Sequence, residues 1–194
     1  MYLDQQKIVT EISHWKANVR DFALPTWEEL PSIPLYMDQV VIFLGSRLAP
    51  HLEEKPLSAS TINNYVRTRM MPPPVKKKYF RLHLAYLIMI CTLKHGLGMV
   101  SIGRMLPLNL AEGAFREIYN QYVAQHKSVS MSFMEQLSPL IGDPEVSMPD
   151  GQRERDIDAL IASTASVTVL SKLLTEQLIA LRHHETDPKG PPEG

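Results

Sequence analysis

Between Lys55 and Ala111 the chain carries no aspartate and no glutamate. Over all 194 residues the charges nearly cancel, with 20 Lys and Arg against 21 Asp and Glu. The acids lie on either side of the gap. Residues 1–54 hold 4 Lys/Arg against 8 Asp/Glu, and residues 112–194 hold 7 against 13, while residues 55–111 hold 9 Lys/Arg and no acid. A carboxylate-free block of charge +9 is the footprint left by a surface that meets a polyanion; the plainer reading is a solvated basic face without a partner. Cysteine is nearly missing too. Cys91 alone excludes an internal disulfide framework and fits a reducing, cytoplasmic setting. No uninterrupted apolar run reaches the roughly 18 residues of a bilayer span. The longest, from Leu82 to Leu93, is interrupted by His83 and Thr92, and the polar start of the chain reads as lacking a signal core, so no membrane is expected. Nor does the sequence contain H-E-x-x-H, a Cys-x-x-Cys pair, G-x-x-x-x-G-K-S/T or G-x-S-x-G. The seven histidines are scattered, His183-His184 falls at a helix end expected to fray, and Asp156 and Asp158, two apart, point to different helix faces. The expectation is a protein that is not an enzyme and holds no cofactor and no metal.

What is present is a globular composition, 44% hydrophobic and 21% charged, centred on residues 58–81. Ser58 is a good N-cap, because its hydroxyl can accept from the open amides of a first helical turn. A helix is expected over residues 59–69, stopped by Pro72, Pro73 and Pro74, which lack amide donors and fix φ. Its exposed face would present Ser60, Asn63, Asn64, Arg67 and Thr68, side chains able to meet base edges and phosphates. The basic stretch Val75-Lys76-Lys77-Lys78-Tyr79 reads as a short two-stranded ribbon, and Arg69 and Arg81 add charge on either side.

Read in order, Ile8, Ile12, Trp15, Val19 and Phe22 form one apolar stripe at helical spacing over residues 4–23. Thr26-Trp27-Glu28-Glu29 matches a capping box, and residues 24–36 read as a connector with Trp27 and Tyr36 packed on the core. Met37, Val40, Val41, Leu44 and Leu48 favour a helix running to about Leu48. Phe80 to Lys94 is apolar nearly all round and belongs at the centre of the core, with Cys91 a small core side chain. A short helix over residues 99–106 follows. Residues 109–141 read as one long helix or two, with a break near Lys127-Ser128-Val129-Ser130, and residues 142–152 as a loop. The last helix, 153–184, carries Ile157, Leu160, Thr164, Val167, Ser171, Leu174, Leu178 and Leu181 at alternating spacings of 3 and 4. That heptad seam either packs on its own domain or pairs with a second copy. Four segments follow from this: 1–36, N-terminal helix and connector; 37–107, the helix-turn-helix; 108–185, a helical dimerisation or effector region; and 186–194, a disordered tail.

Ser58-x-x-Thr61-Ile62-x-x-Tyr65, followed by Met70-Met71-Pro72-Pro73-Pro74 and then Tyr79, resembles the recognition helix and wing of the MerR-type winged helix-turn-helix. Asn63 stands where that family usually has arginine, and Arg69 where it usually has glycine. Leu24-Pro25-x-Trp27-Glu28-Glu29-Leu30-Pro31, Leu35-Tyr36-Met37-Asp38-Gln39-Val40, Ile62-Asn63-Asn64-Tyr65-Val66, Pro72 to Tyr79 and His83-Leu84-Ala85-Tyr86-Leu87 are similar to a bacterial family, domain of unknown function 1836. The resemblance implies a mainly α fold, a MerR-like winged helix-turn-helix with a short β wing and a C-terminal helical segment, acting as a sequence-specific regulator.

The expected function is therefore a transcriptional regulator that binds double-stranded DNA as a homodimer through the 153–184 helix. The DNA-binding set would be Ser60, Thr61, Asn63, Asn64, Tyr65, Arg67, Arg69, Lys76, Lys77, Lys78, Tyr79 and Arg81. Neutralising about six phosphates would give a log–log salt slope of roughly -5. The alternative is a protein-interaction adaptor of helix-turn-helix ancestry, whose basic patch docks an acidic partner. A small-molecule effector pocket could be lined by Phe115, Tyr119, Tyr122, Phe133 and Met134, although aromatic residues at helical spacing more often form plain core.

Overall fold

The computed structural model describes residues 10–15, 17, 23–48, 57–141 and 152–186. Of the expected N-terminal helix, residues 10–15 and 17 are helical; the rest of that stripe, the 49–56 connection, the 142–151 loop and the tail from 187 lie outside the described residues. Six further helices follow: α1 (Met37–Leu48), α2 (Ala59–Arg67), α3 (Arg81–Leu93), α4 (Met99–Met105), α5 (Glu112–Ile141) and α6 (Gln152–Thr186). The fold is mainly helical. Among the described residues the β structure consists of two isolated antiparallel bridges, Leu35 with Tyr79 and Val75 with Lys78.

Helix α3 is the centre of the core. Its residues His83 to Cys91 are all buried, as expected for a helix that is apolar on every face. Against it lie Val40, Leu44 and Leu48 of α1, Ile62 and Tyr65 of α2, Ile102 of α4, and Phe115, Tyr119 and Val123 of α5. Tyr86 and Phe115 stack, with centroids 4.0 Å apart and planes 15° from parallel, and the Tyr86 hydroxyl donates to the Pro107 carbonyl. The Cys91 thiol is fully buried, and desolvation pushes it up to about 11.

The connector before α1 is built into this core. Trp27 is 3% exposed and meets Tyr119 edge-on at 6.2 Å. The Trp27 amide donates to Asn120 Oδ1 at 3.0 Å, and the Tyr119 hydroxyl donates to the Pro25 carbonyl at 2.7 Å. The capping box forms as its sequence suggests, the Thr26 amide donating to Glu29 Oε2 at 2.7 Å. Tyr36 differs from expectation. It is 52% exposed; it follows the bridge residue Leu35, which is buried, and successive side chains of extended backbone point to opposite faces.

Helix α5 runs without the break expected near Lys127 to Ser130. Lys127, Ser128 and Val129 are exposed there, and none of them is a glycine or proline that would break a helix. Of the two readings of the aromatic set, plain core fits most of it. Phe115 and Tyr119 are fully buried core, and Met134 is buried, leaving Tyr122 of that set beside a cleft.

Helix α6 crosses the end of this body. Ile179 is buried, and Thr175, Glu176 and Ala180 are half-buried. Arg182 Nη2 donates to the carbonyls of Arg104 and Met105 at 2.9 and 3.3 Å, capping the C-terminus of α4 with a cation. Leu170, Leu174, Leu178 and Leu181 lie on the opposite face and, with Val167 at its edge, are each more than half exposed. At 3.6 residues per turn these five share an arc of about 80°. Thus Leu174, Leu178 and Leu181 of the heptad seam, joined by Leu170, are not used against the chain's own core, whereas Val167 and Ser171 of the seam border a cleft toward α3 and α5. Residues Ile157–Arg182 also form a helix long and apolar enough to cross a membrane by length and composition, which an inspection of uninterrupted apolar runs misses.

Candidate nucleic-acid interface

Helix α2 begins as expected. Ser58 is extended, and its Oγ accepts from the Thr61 amide at 3.2 Å. Ser60 Oγ and Thr61 Oγ1 lie 2.8 and 2.9 Å from the same oxygen, so the first turn is a hydroxyl cluster. The helix ends two residues earlier than expected, in a Schellman motif. The Arg69 amide donates to the Val66 carbonyl at 3.1 Å, and the Met70 amide to the Tyr65 carbonyl at 2.8 Å. Arg69 has φ 56°, so an arginine occupies the left-handed position that glycine fills most cheaply. Buried Met70 then touches α4: a Cβ added at Gly103 would lie 3.1 Å from its sulfur.

The outer face of α2 carries Ser60, Asn63, Asn64, Arg67 and Thr68, all exposed. Asn64 Oδ1 accepts from Arg67 Nη2 at 2.8 Å, which orients the guanidinium along the helix. The Thr68 hydroxyl returns to the Asn64 carbonyl at 2.8 Å. Thr61 is half-buried. The side chains available to a partner are thus two amides, two or three hydroxyls and a guanidinium, with no carboxylate.

The basic stretch closes a two-residue hairpin loop. The Val75 amide donates to the Lys78 carbonyl at 3.1 Å and the Lys78 amide to the Val75 carbonyl at 2.9 Å. Between them Lys76 and Lys77 have φ 50° and 63°. Two successive positive φ values are the signature of a type I′ turn, a place for Asn-Gly, because a Cβ is disfavoured there. Two exposed lysines sit in it instead. Lys78 Nζ lies 5.6 Å from the centroid of the Tyr36 ring, a cation–π contact that explains the exposed tyrosine.

The tip is anchored from behind. The Leu35 and Tyr79 amides each donate to the other's carbonyl at 2.8 Å. His83 joins the proline run to the start of α3. The Phe80 amide donates to His83 Nδ1 at 3.0 Å, and Nε2 lies 3.0 Å from the Pro73 carbonyl. Only a neutral ring with its proton on Nε2 makes both bonds. Burial holds the imidazole below its usual range, against the opposing pull of the Pro73 carbonyl.

Three residues of the expected DNA-binding set do not belong on this surface. Tyr65 and Tyr79 are 5% and 2% exposed. Desolvation pushes the Tyr65 phenol up to about 12, and both rings serve the core. Arg81 turns inward, its Nε donating to the Leu30 carbonyl at 3.0 Å and its Nη2 toward the Glu28 carbonyl at 3.4 Å, so it fastens the connector. The structure leaves Ser60, Thr61, Asn63, Asn64, Arg67, Arg69, Lys76, Lys77 and Lys78 on the outer side. Sequence reasoning missed Tyr36 and His83. An exposed aromatic beside a lysine run, and a histidine three residues into a helix after prolines, were the available signals. Among the described residues no group of three or more His, Cys, Asp or Glu is placed to hold a metal ion.

No curated protein and no solved structure matches the chain. A family model does, over residues 25–123, which take in the connector, α1 to α4, the basic tip and the first part of α5. That span is just over half of the 194 residues, and by it the chain belongs to the family described as domain of unknown function DUF1836.

Proposed function

We propose that this protein is a cytoplasmic, DNA-binding transcriptional regulator of MerR-like winged helix-turn-helix type, acting as a homodimer. The observation that carries the reading is the strained basic tip: Lys76 and Lys77 hold a left-handed conformation that costs about 1–2 kcal/mol per residue. A backbone outlier of this kind is a pointer to function. It presents two ammonium groups beyond the body, as a wing presents cations to a phosphate backbone. The face of α2 complements it, with Asn63 and Asn64 for adenine edges and Arg67 for guanine or phosphate. No carboxylate between Lys55 and Ala111 opposes them.

The dimer reading rests on α6. Its stripe at 167, 170, 174, 178 and 181 has spacings of 3, 4, 4 and 3, close to a coiled-coil seam. A second copy covering it would present two α2 helices to paired half-sites. A bilayer is the other possible cover. Lys172 and Glu176 lie within the same helix, and each charge would cost about 2.5–3.5 kcal/mol near a bilayer centre.

Selection of bound fragments from the source genome, sequenced over a salt series, tests the proposal. Five outward cations, Arg67, Arg69, Lys76, Lys77 and Lys78, give a log–log salt slope of about -4.5, and a homodimer doubles it. Enriched fragments should share an inverted repeat. Salt-independent binding, or no binding at low salt, would overturn the reading in favour of an adaptor that meets an acidic protein.

A further inference from the structure

A second site lies on the side of α6 that faces the body. An open cleft of about 640 Å³ runs between the end of α3, the middle of α5 and one face of α6. Its apolar lining comes from Leu93 at the end of α3, Leu97 in the turn after it and Val129 of α5. The polar groups on its rim are hydroxyls of Thr92, Tyr122, Thr168, Ser171 and Thr175, the Gln125 amide, the His126 ring and the Lys172 ammonium. Thr92 Oγ1 lies 2.9 Å from the Ile88 carbonyl, to which it donates, and 2.6 Å from the Tyr122 hydroxyl. With the threonine proton spent on the carbonyl, the Tyr122 proton points to Thr92, and the phenol oxygen can still accept. His126 lines the cleft, and burial pushes its imidazole toward the neutral form. Lys172 brings the one formal charge to a lining that contains no carboxylate.

We infer that this cleft binds a small amphipathic monoanion, an aliphatic or aromatic body ending in a single carboxylate or sulfonate. The volume is that of a drug-sized ligand site, and an apolar wall with a few placed polar groups is the usual make-up of one. The charge selects the class. A cation would meet Lys172 with no carboxylate in the lining, Glu176 lying one turn further along α6, whereas an anion would bury its chain against Leu93 and Leu97 and place its head at the ammonium. Because α6 supplies Lys172 and Thr175 to this wall and the exposed leucine stripe on its other side, an occupant ties α6 to α3 and α5. Ligand binding here does not depend on the DNA-binding reading and is measured without DNA.

The test is calorimetry on the full chain with dodecanoate and with dodecyltrimethylammonium, both below their micelle concentrations. The tails are alike and the heads opposite. Dodecanoate should bind at least fivefold more tightly, the scale of one exposed charge pair, and Lys172→Glu should reverse the preference. Gly96→Met should block both probes. Gly96 lines the cleft from outside α6, and a Cβ there meets nothing within 4 Å, so the fold should survive. Val129→Trp fills the same space from α5 and serves as the second blocking variant. Equal binding of the two ions, a preference indifferent to Lys172→Glu, no binding of either, or binding unchanged in both blocked variants would each overturn the inference.

Discussion

At the scale of single residues, His83 and Lys77 make opposite bargains with their surroundings. His83 is neutral in the folded protein, with a pKa below the unfolded value near 6.5. Between those two values the unfolded chain holds more protons than the folded one. Stability is therefore complete above about pH 6.5 and falls as the pH drops toward the folded pKa. His83→Gln keeps an acceptor for Phe80 and a donor for Pro73 without a titrating ring. Thermal melts from pH 7.5 to 4.5 should show a shallower loss in this variant, and His126, which burial shifts in the same direction, still contributes to what remains. Lys77 is held with φ 63°. Lys77→Gly should raise stability by about 1 kcal/mol, or 2–4 °C in Tm, while lowering the DNA salt slope by about one for each copy of the tip. A tip retained only for folding would gain stability and lose no binding. Tyr65, Tyr79 and Arg81 show where residue-scale reading stops. Tyrosine and arginine are amphipathic, and their types alone do not decide between core, connector and partner; that is settled by Leu35 and Leu30, 44 and 51 positions away along the chain.

At the scale of elements, most of the helices were legible because their signals are local. Ser58 followed by an apolar spacing marks the start of α2, Pro72 to Pro74 mark its limit, and the unbroken apolar character of residues 82–91 marks the buried helix. Continuity of α5 was not legible. Ser128, Val129 and Ser130 are weak helix formers, and propensity alone does not decide whether a helix runs through three such residues. The stacked pair between α3 and α5 supplies a test of this packing. Phe115→Ala should cost about 3–5 kcal/mol, measured by denaturant unfolding, since it removes a fully buried ring that lies flat on Tyr86. Helix α6 supplies the other. Leu170→Glu with Leu174→Glu should turn a dimer into a monomer in sedimentation experiments while leaving helical content unchanged, because neither side chain contributes to the core. Partition of the wild-type chain into vesicles, with no dimer in solution, would instead favour a bilayer as the cover.

For the whole molecule, charge and packing divide the chain differently. Charge marks residues 55–111 as one block, yet the core ignores those limits. Connector residues 24–35 and the first turns of α5 meet through Trp27, Asn120, Pro25 and Tyr119, and a Glu28–Arg116 ion pair lies at the surface beside them. Long-range pairings of this kind leave no periodic trace, so the packing of residues 24–35 against α5 is not readable from the sequence. The Leu35–Tyr79 bridge has a practical meaning for anyone dissecting the protein. A fragment cut to begin at Met37 loses the hydrogen-bonding partner of Tyr79, the aromatic neighbour of Lys78 and the carbonyls that hold Arg81. Such a fragment should retain α3 yet bind DNA more weakly than one beginning at Ala23, because the basic loop would then be a tether with freedom to wander, no longer a fixed prong.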